Sequence, residues 1–225
     1  MTQEPMAPNP DAAEQEYGPQ MDDLVPSYGY ELVPVVGIGG SAGSIEALQD
    51  LLSGLPADAS LTMALVVVIH LAPDQDSALA EVLQRCTAMP VHALDESTRI
   101  EAGHVYVVTP GTLVTMARGR VRVAPTTGPQ KRPPFTIDAF FRSLADTHGP
   151  HAAAVLLSGM GSDGSLGLKR IKERGGLTLA QDPQQAIQPE MPRAGIDTLM
   201  VDWVLPAADM GRRLLDFFRR GPCPA

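Results

Sequence analysis

The 225 residues are enough for one sizeable domain with or without a tail, and 44% of them are apolar, which is enough for a core. No apolar run approaches the ~20 residues that a membrane helix needs, and the N-terminus lacks the features of a signal peptide, so direct membrane insertion is not expected. The net charge of −9 disfavours nucleic-acid binding, although all 17 basic residues lie after residue 84. The two cysteines, Cys86 and Cys223, predict no disulfide framework and a cytoplasmic protein.

The apolar patterning predicts a tail followed by one domain. Residues 1–30 are predicted to form a disordered acidic tail, and residues 31–220 to form the folded domain. Short apolar runs predict strands at 33–38, 61–70, 91–94, 104–110, 152–160 and 177–181, and a hairpin over 113–125. Helical spacing predicts helices at 44–53, 76–86, 136–147, 165–175 and 207–219, with Ser44 and Asp76 as N-caps and Gly175 as a C-cap. This alternation predicts an α/β fold: a doubly wound, mainly parallel sheet with helices on both faces and a small β-hairpin insertion.

Three polar side chains lie at or just after the ends of three predicted strands. Ser41 comes after the first strand, His70 is the last residue of the second, and Asp163 lies in the loop after the strand that starts at residue 152. Because sites in open α/β sheets gather at the carboxyl ends of the strands, we expect the three to meet. A serine that attacks, an imidazole that removes its proton and a carboxylate that fixes the imidazole tautomer are the groups that acyl transfer needs.

The glycines around Ser41 suit a nucleophile. Gly39-x-Ser41-x-Gly43 matches the G-x-S-x-G pattern, in which small neighbours allow a sharp turn from strand to helix that exposes the hydroxyl. The helix predicted from Ser44 also directs backbone N–H groups towards the same place, where a developing oxyanion would be stabilised.

A dinucleotide fingerprint is a rival interpretation of the same glycines. Gly37-x-Gly39-x-x-Ala42 fits G-x-G-x-x-A, but that motif requires an acidic residue at the end of the second strand, whereas Asp58 lies before it. A turn that serves only chain geometry is a third alternative.

Each catalytic candidate also has an ordinary structural interpretation. Ser41 and Asp163 could be helix caps, and His70 could be an interior histidine with its hydrogen bonds satisfied. Their coincidence at one sheet edge favours the catalytic hypothesis. No metal site is expected, because His148-x-x-His151 is the one closely spaced pair of histidines in the sequence.

Four stretches in order resemble a known family. They are GIGGSAGSIEAL at 37–48, VVVIHLAPD at 66–74, LSGMGSDGSLGL at 157–168 and LAQDPQQAIQPEMPRAGI at 179–196. They are similar to the catalytic domain of the chemotaxis protein-glutamate methylesterases (CheB type), over roughly residues 33–215. The resemblance implies hydrolysis of glutamate methyl esters on receptor or sensor signalling helices, with glutamine deamidation in many members and no cofactor. No receiver domain precedes the domain in this sequence, so phosphorylation control in cis is not expected.

The resemblance also implies residue roles. The nucleophile falls on Ser41, the base on His70 and the orienting aspartate on Asp163. The backbone N–H of Met160 is implied as an oxyanion donor, and Ala42 at the start of the next helix is expected to be the second donor. An inactive member that only docks signalling proteins is the alternative function.

Substrate contacts are expected from basic side chains. Receptor methylation helices are acidic, so a basic strip on the hairpin and the loop after it is predicted to steer them electrostatically: Arg118, Arg120, Arg122, Lys131 and Arg132. Arg193 is a second substrate-binding candidate by resemblance. The sequence departs from the family at Ser44, where a glycine is usual, and at Ile69, where a glutamine is common.

Overall fold

The computed structural model describes residues 32–56, 62–70, 79–109, 111–125 and 135–220. Its strands are β1 (Val35–Gly40), β2 (Ala64–Ile69), β3 (Val91–Leu94), β4 (Thr98–Arg99), β5 (Val105–Val108), β6 (Thr112–Ala117), β7 (Arg120–Pro125), β8 (Ala152–Leu156), β9 (Leu177–Gln181) and β10 (Trp203–Leu205). Its α-helices are α1 (Ser44–Ser53), α2 (Leu79–Gln84), α3 (Thr136–His148), α4 (Ser165–Glu173), α5 (Glu190–Ile196) and α6 (Ala207–Arg220), and a 3₁₀ turn spans Gly149–His151.

Seven parallel strands form the central sheet in the order β10-β9-β8-β1-β2-β5-β3. The chain builds outward from β1 in one direction through β2, and then returns to add β8 on the other side of β1. Strand order therefore reverses between β1 and β8, and a crevice opens outside the carboxyl ends of strands at such a switch point.

The sheet is covered on both faces. Alternate residues of β1 enter different cores: Val36 and Ile38 pack with α1, α2 and α6, whereas Val35 packs with α3 and α4. All six residues of β1 and of β2 are buried, as the continuous apolar runs predict for strands covered on both sides. The predicted doubly wound, mainly parallel fold is confirmed.

The predicted hairpin is part of a separate antiparallel sheet of three strands, in the order β4-β7-β6. Its turn residues Arg118 and Gly119 have φ values of 50° and 70°, and two positive φ angles are what a tight two-residue hairpin turn requires. The sheet is attached to α3 by a 2.8 Å hydrogen bond from the Met116 N–H to Ser143 Oγ.

Several boundaries differ from the predictions. The N-cap of α1 is Gly43 with φ of 75°, so Ser44 is the first helical residue rather than the cap. The short elements β4, α5 and β10 were not predicted from the sequence. The proposed cap Asp76 and the tail of residues 1–30 lie outside the described residues, and the domain bounds 31–220 stay a prediction. Among the described helices, none is long and apolar enough to cross a membrane.

Candidate active site

Ser41 stands in the tight connection between β1 and α1. Its backbone N–H donates to the Ser158 carbonyl at 2.9 Å, so it is bound to the loop that follows β8. Its own carbonyl accepts the Ser44 hydroxyl at 2.6 Å. The Ser41 hydroxyl makes no hydrogen bond to any described residue. The turn thus fixes the backbone of Ser41 and leaves its side chain available.

Two glycines near Ser41 have separate physical causes. A Cβ on Gly39 would lie 2.5 Å from Ile137 Cγ2, so the absence of a side chain lets α3 pack directly on β1. Gly43 has φ of 75°, a left-handed conformation that other residues rarely adopt, and a Cβ there would lie 2.6 Å from Ile187 Cβ. The glycines are thus required by helix packing and by the turn, which gives them a reason other than phosphate binding.

His70 leaves the sheet beside Ser41. The parallel register pairs Gly40 with Ile69, and the His70 N–H extends this ladder by donating to the Gly40 carbonyl at 3.0 Å. Ser41 and His70 are therefore equivalent exits from adjacent strands. The Ile69 side chain is buried in the core that contains α1.

The imidazole of His70 is held by two side chains through the same nitrogen. Its Nε2 lies 3.1 Å from Asp163 Oδ2 and 2.7 Å from Thr136 Oγ1. Since an ionised carboxylate can only accept, Nε2 carries the proton in the neutral ring. Nδ1 then carries the lone pair of the neutral ring, so it is the ring nitrogen that can accept a proton.

Asp163 is held in place by the start of α3. Its Oδ2 accepts the Ile137 N–H at 3.0 Å and its Oδ1 accepts the Asp138 N–H at 2.9 Å. Burial alone would raise the pKa of Asp163, but the hydrogen bond from His70, the two backbone N–H groups and the nearby imidazole outweigh it and lower that pKa. Asp163 is consequently a carboxylate at neutral pH and can stabilise an imidazolium.

Two backbone donors flank the Ser41 turn. Within the described part of the chain, the N–H groups of Ala42 and Met160 donate to no acceptor. The segment before Met160 is fixed by a 3.0 Å bond from the Gly159 N–H to the Gln188 carbonyl, and the segment after it by a 3.1 Å bond from the Gly161 N–H to Glu190 Oε2. Backbone N–H groups that have no acceptor among the described residues, on a segment fixed by neighbouring hydrogen bonds, are suited to an oxyanion hole.

Comparison with known proteins places this arrangement in a family. The family model for the CheB methylesterase matches residues 36–214. The chain belongs to the CheB methylesterase family. A relative from Anaeromyxobacter dehalogenans, named protein-glutamate methylesterase/protein-glutamine glutaminase 6, is 36% identical over 203 residues, which are 86% of this chain and 57% of the relative. A protein-glutamate methylesterase/protein-glutamine glutaminase from Photorhabdus laumondii is 34% identical over 186 residues, 80% of this chain and 52% of that one.

The solved structures agree with the sequence comparison. The CheB methylesterase catalytic domain of Thermotoga maritima superposes with a TM-score of 0.73 at 26% identity, over 81% of this chain and 97% of that domain. This chain spans about half the length of the curated relatives that it matches.

The residues predicted for the CheB site separate into three groups. Ser41, His70 and Asp163 leave the central sheet at one edge, and the last two are in contact. Arg193 is exposed on α5 and forms no ion pair with a described residue. Arg132 and Lys131 lie outside the described residues. Within those ranges, no group of three or more His, Cys, Asp or Glu is arranged to hold a metal ion.

Sequence reasoning missed several residues that support the site. Ser158 is fully buried, and its hydroxyl donates to the Ala42 carbonyl at 2.8 Å and accepts the Gln188 N–H at 2.9 Å. Thr136 and Asp138, in the first turn of α3, contact His70 and Gly167. A signal for Asp138 was present: it lies three residues before Phe141, on the apolar face of a helix, where an acidic residue must have a specific partner.

Proposed function

We propose that this chain is a serine hydrolase that removes methyl esters from glutamate side chains on the signalling helices of chemotaxis receptors or related sensors. The proposal rests mainly on the distance of 3.1 Å between His70 Nε2 and Asp163 Oδ2. His70 follows β2 at the point where Ser41 follows the adjacent strand β1. Membership of the CheB methylesterase family supports the same reaction. The receptor helices and the reaction are proposed to be cytoplasmic, which agrees with the low cysteine content.

The proposed reaction has two acyl-transfer steps. Ser41 Oγ attacks the ester carbonyl while its proton passes to His70 Nδ1, and the resulting imidazolium is stabilised by Asp163 through Nε2. The negative oxygen of the tetrahedral intermediate is bound by the N–H groups of Ala42 and Met160. His70 returns the proton to the leaving oxygen, methanol departs, and water activated by His70 then releases the glutamate.

The same chemistry extends to glutamine side chains. An amide carbonyl presents the same electrophile, and the leaving group becomes ammonia in place of methanol. The relatives from Photorhabdus laumondii and Anaeromyxobacter dehalogenans carry the glutaminase activity in their names. We therefore propose deamidation as a second reaction of this site.

The surface near the site suits a protein substrate. Four large apolar side chains that belong to the site's loops and helix starts are each more than half exposed: Phe135, Met160, Leu166 and Ile187. Clusters of exposed apolar residues are typical of interaction surfaces. We propose that they contact the apolar side chains that flank the modified glutamate on the substrate helix.

Electrostatic steering is proposed for the antiparallel sheet. Arg118, Arg120 and Arg122 line an open groove of about 460 Å³ there, and Arg99 lies directly across from Arg120 in the strand pairing. Like charges placed opposite each other destabilise a strand pair, so an anionic partner would relieve the repulsion. An acidic receptor helix supplies such a charge.

The test measures release of labelled methanol from a methyl-labelled receptor cytoplasmic fragment. Wild-type protein is expected to release the label and Ser41→Ala to lose at least about 10³-fold in rate, because no other hydroxyl occupies this turn position. Ser53→Ala, at the exposed end of α1, is the matched control and should react like wild type. Unchanged release by Ser41→Ala would overturn the proposal.

A further inference from the structure

We propose that Thr136 is a positioning residue that acts through His70 and fixes the imidazole for catalysis. This inference rests on the proposed function. Thr136 Oγ1 lies 2.7 Å from His70 Nε2, closer than the 3.1 Å between that nitrogen and Asp163 Oδ2. The threonine is 7% exposed, so its hydroxyl meets the ring with little competition from water.

The chemistry of His70, Asp163 and Thr136 determines which of them donates the hydrogen bonds. Asp163 has a lowered pKa and can only accept, so a tautomer with a lone pair on Nε2 would set that lone pair against a carboxylate. Nε2–H is therefore shared between Asp163 Oδ2 and Thr136 Oγ1. Two acceptors on different elements restrict the rotation of the ring about its Cβ–Cγ bond more than one acceptor does. The ring orientation in turn fixes the direction of the Nδ1 lone pair.

Thr136 itself is fixed by the helix start to which it belongs. It is the first residue of α3, and the next two N–H groups bind both oxygens of Asp163. The acceptor that orients the ring and the carboxylate that stabilises it are thus held as one assembly. Movement of α3 would shift both acceptors of Nε2 together.

A second carboxylate holds this assembly against α4. Asp138 Oδ1 accepts the Gly167 N–H at 2.6 Å, and Asp138 is 5% exposed. Burial, and to a lesser extent the charge of Asp163, raise the pKa of Asp138, while the Gly167 N–H opposes that rise. A Cβ on Gly167 would lie 2.5 Å from Phe141 Cβ, so α3 and α4 pack closely. Each helix start is therefore capped by an aspartate from the other helix or its leading loop.

The backbone before Thr136 is strained. Phe135 has φ of 70° and ψ of 43°, a left-handed conformation that non-glycine residues rarely adopt. Strain of this kind persists where the surrounding contacts impose it, and it is frequent at functional sites. Here the left-handed turn at Phe135 places Thr136, the first residue of α3, beside the imidazole of His70.

The experiment compares Thr136→Ala, Thr136→Ser and Thr136→Val in the methanol-release assay. Thr136→Ala should lower kcat about tenfold or more with KM changed less than about threefold, since general-base catalysis depends on the base's placement and substrate contacts remain. Thr136→Ser should recover kcat to within about threefold of wild type. Thr136→Val should be worse than Thr136→Ala, because its methyl group would stand where the hydroxyl meets Nε2. Thr147→Ala, at the other end of α3, is the control and should react like wild type.

A second readout does not depend on activity. The shared Nε2–H of His70 should give a downfield proton resonance that is absent in His70→Gln, and its exchange with solvent should be faster in Thr136→Ala than in Thr136→Ser. Wild-type kcat in Thr136→Ala, equal losses in the alanine and serine variants, or an unchanged proton exchange would each overturn the role of Thr136. Failure of the proposed function would appear differently, as an inactive wild type or an active Ser41→Ala.

Discussion

Charged side chains lie both at the carboxyl edge of the parallel sheet and on the antiparallel sheet. The two regions differ in the partners that bind these charges. At the parallel edge, Asp163 is bound by the His70 ring and two backbone N–H groups, and Asp138 by the Gly167 N–H. On the antiparallel sheet, Arg118 and Arg122 form no ion pair with a described residue, and the Arg120 guanidinium reaches the Ser97 carbonyl only at 3.5 Å.

This difference agrees with the two proposed uses of charge. Charges that take part in proton transfer must keep a fixed geometry, so the fold provides partners from separate elements. Charges that attract a substrate act over a distance through solvent and need no fixed partner. Substitutions at the parallel edge should therefore have large effects that salt does not change, whereas those on the antiparallel sheet should be small and sensitive to salt.

The largest effect is expected for Asp163→Asn. The carboxamide can donate to Nε2 and so stabilise the tautomer with the proton on Nδ1, which removes the base. Activity in the methanol-release assay should fall about 10³–10⁴-fold while the fold is retained. Asp146→Asn, an exposed carboxylate on α3, is the control and should react like wild type. A loss below tenfold would mean that the carboxylate does not set the tautomer.

The next largest effect is expected for the pH dependence of the free energy of unfolding, through His148 at the C-terminal end of α3. Burial, together with the nearby His151, lowers the pKa of His148 from 6.5 to about 4. Unfolding therefore takes up a proton between these pH values, and the free energy of unfolding falls as pH drops from 6.5 to 4, by roughly 3 kcal/mol at about 1.4 kcal/mol per pH unit. Denaturant titrations of wild type and His148→Gln across this range should show a weaker pH dependence in the variant.

The same titrations carry the counter-test for His148. The difference between the two slopes isolates this residue, since Asp163 and the other carboxyl groups titrate in both proteins. Parallel pH profiles for wild type and His148→Gln would contradict a buried neutral imidazole.

A smaller effect is expected for Asp138→Ala, which leaves the buried Gly167 N–H without an acceptor. The free energy of unfolding should drop by about 1–3 kcal/mol, as for other buried donors that lose their partner. Asp138→Asn keeps an acceptor oxygen and should lose less. Equal stabilities of the alanine variant and wild type in denaturant unfolding would show that the bond does not hold α3 to α4.

The smallest effect is expected for the arginines of the antiparallel sheet. The double variant Arg120→Gln/Arg122→Gln should lower kcat/KM a few-fold at low ionic strength, with kcat unchanged, and the difference should shrink as salt is added. Arg212→Gln, exposed on α6 at the other face of the parallel sheet, should leave the salt dependence as in wild type. A double variant with the wild-type salt dependence would remove the steering hypothesis.

The elements that the sequence predicted are those with a repeating apolar pattern. Strands β1, β2 and β8 are continuous apolar runs, and α1 and α3 have helical spacing, so burial on a defined face reveals them. The segment Glu190–Ile196 contains Pro192 and Gly195 and is only seven residues long, and β10 is a three-residue edge strand with two exposed side chains. Neither of these short segments carries a period that could be recognised.

The site was predictable to the extent that it follows strand ends. Ser41, His70 and Asp163 were predicted to lie together because parallel strands end at one edge, and the structure places His70 in contact with Asp163. Thr136 was not, because a helix start brings it to the imidazole and that contact spans 66 positions in the chain. The prediction of Ser44 as the N-cap of α1 is wrong, because the cap is Gly43 and its positive φ is a property of the folded backbone. The sequence also allows Asp163 to be a cap of its own helix, but its carboxylate binds the start of α3.

The most direct test of the central claim, that Ser41 and His70 act as one nucleophilic pair, is covalent labelling with a fluorophosphonate followed by peptide mass spectrometry. Label on Ser41 in the wild type, with labelling at least about 10²-fold slower in His70→Gln and absent in Ser41→Ala, is the predicted result. Label elsewhere, or labelling of Ser41 at the same rate without the imidazole, would contradict it.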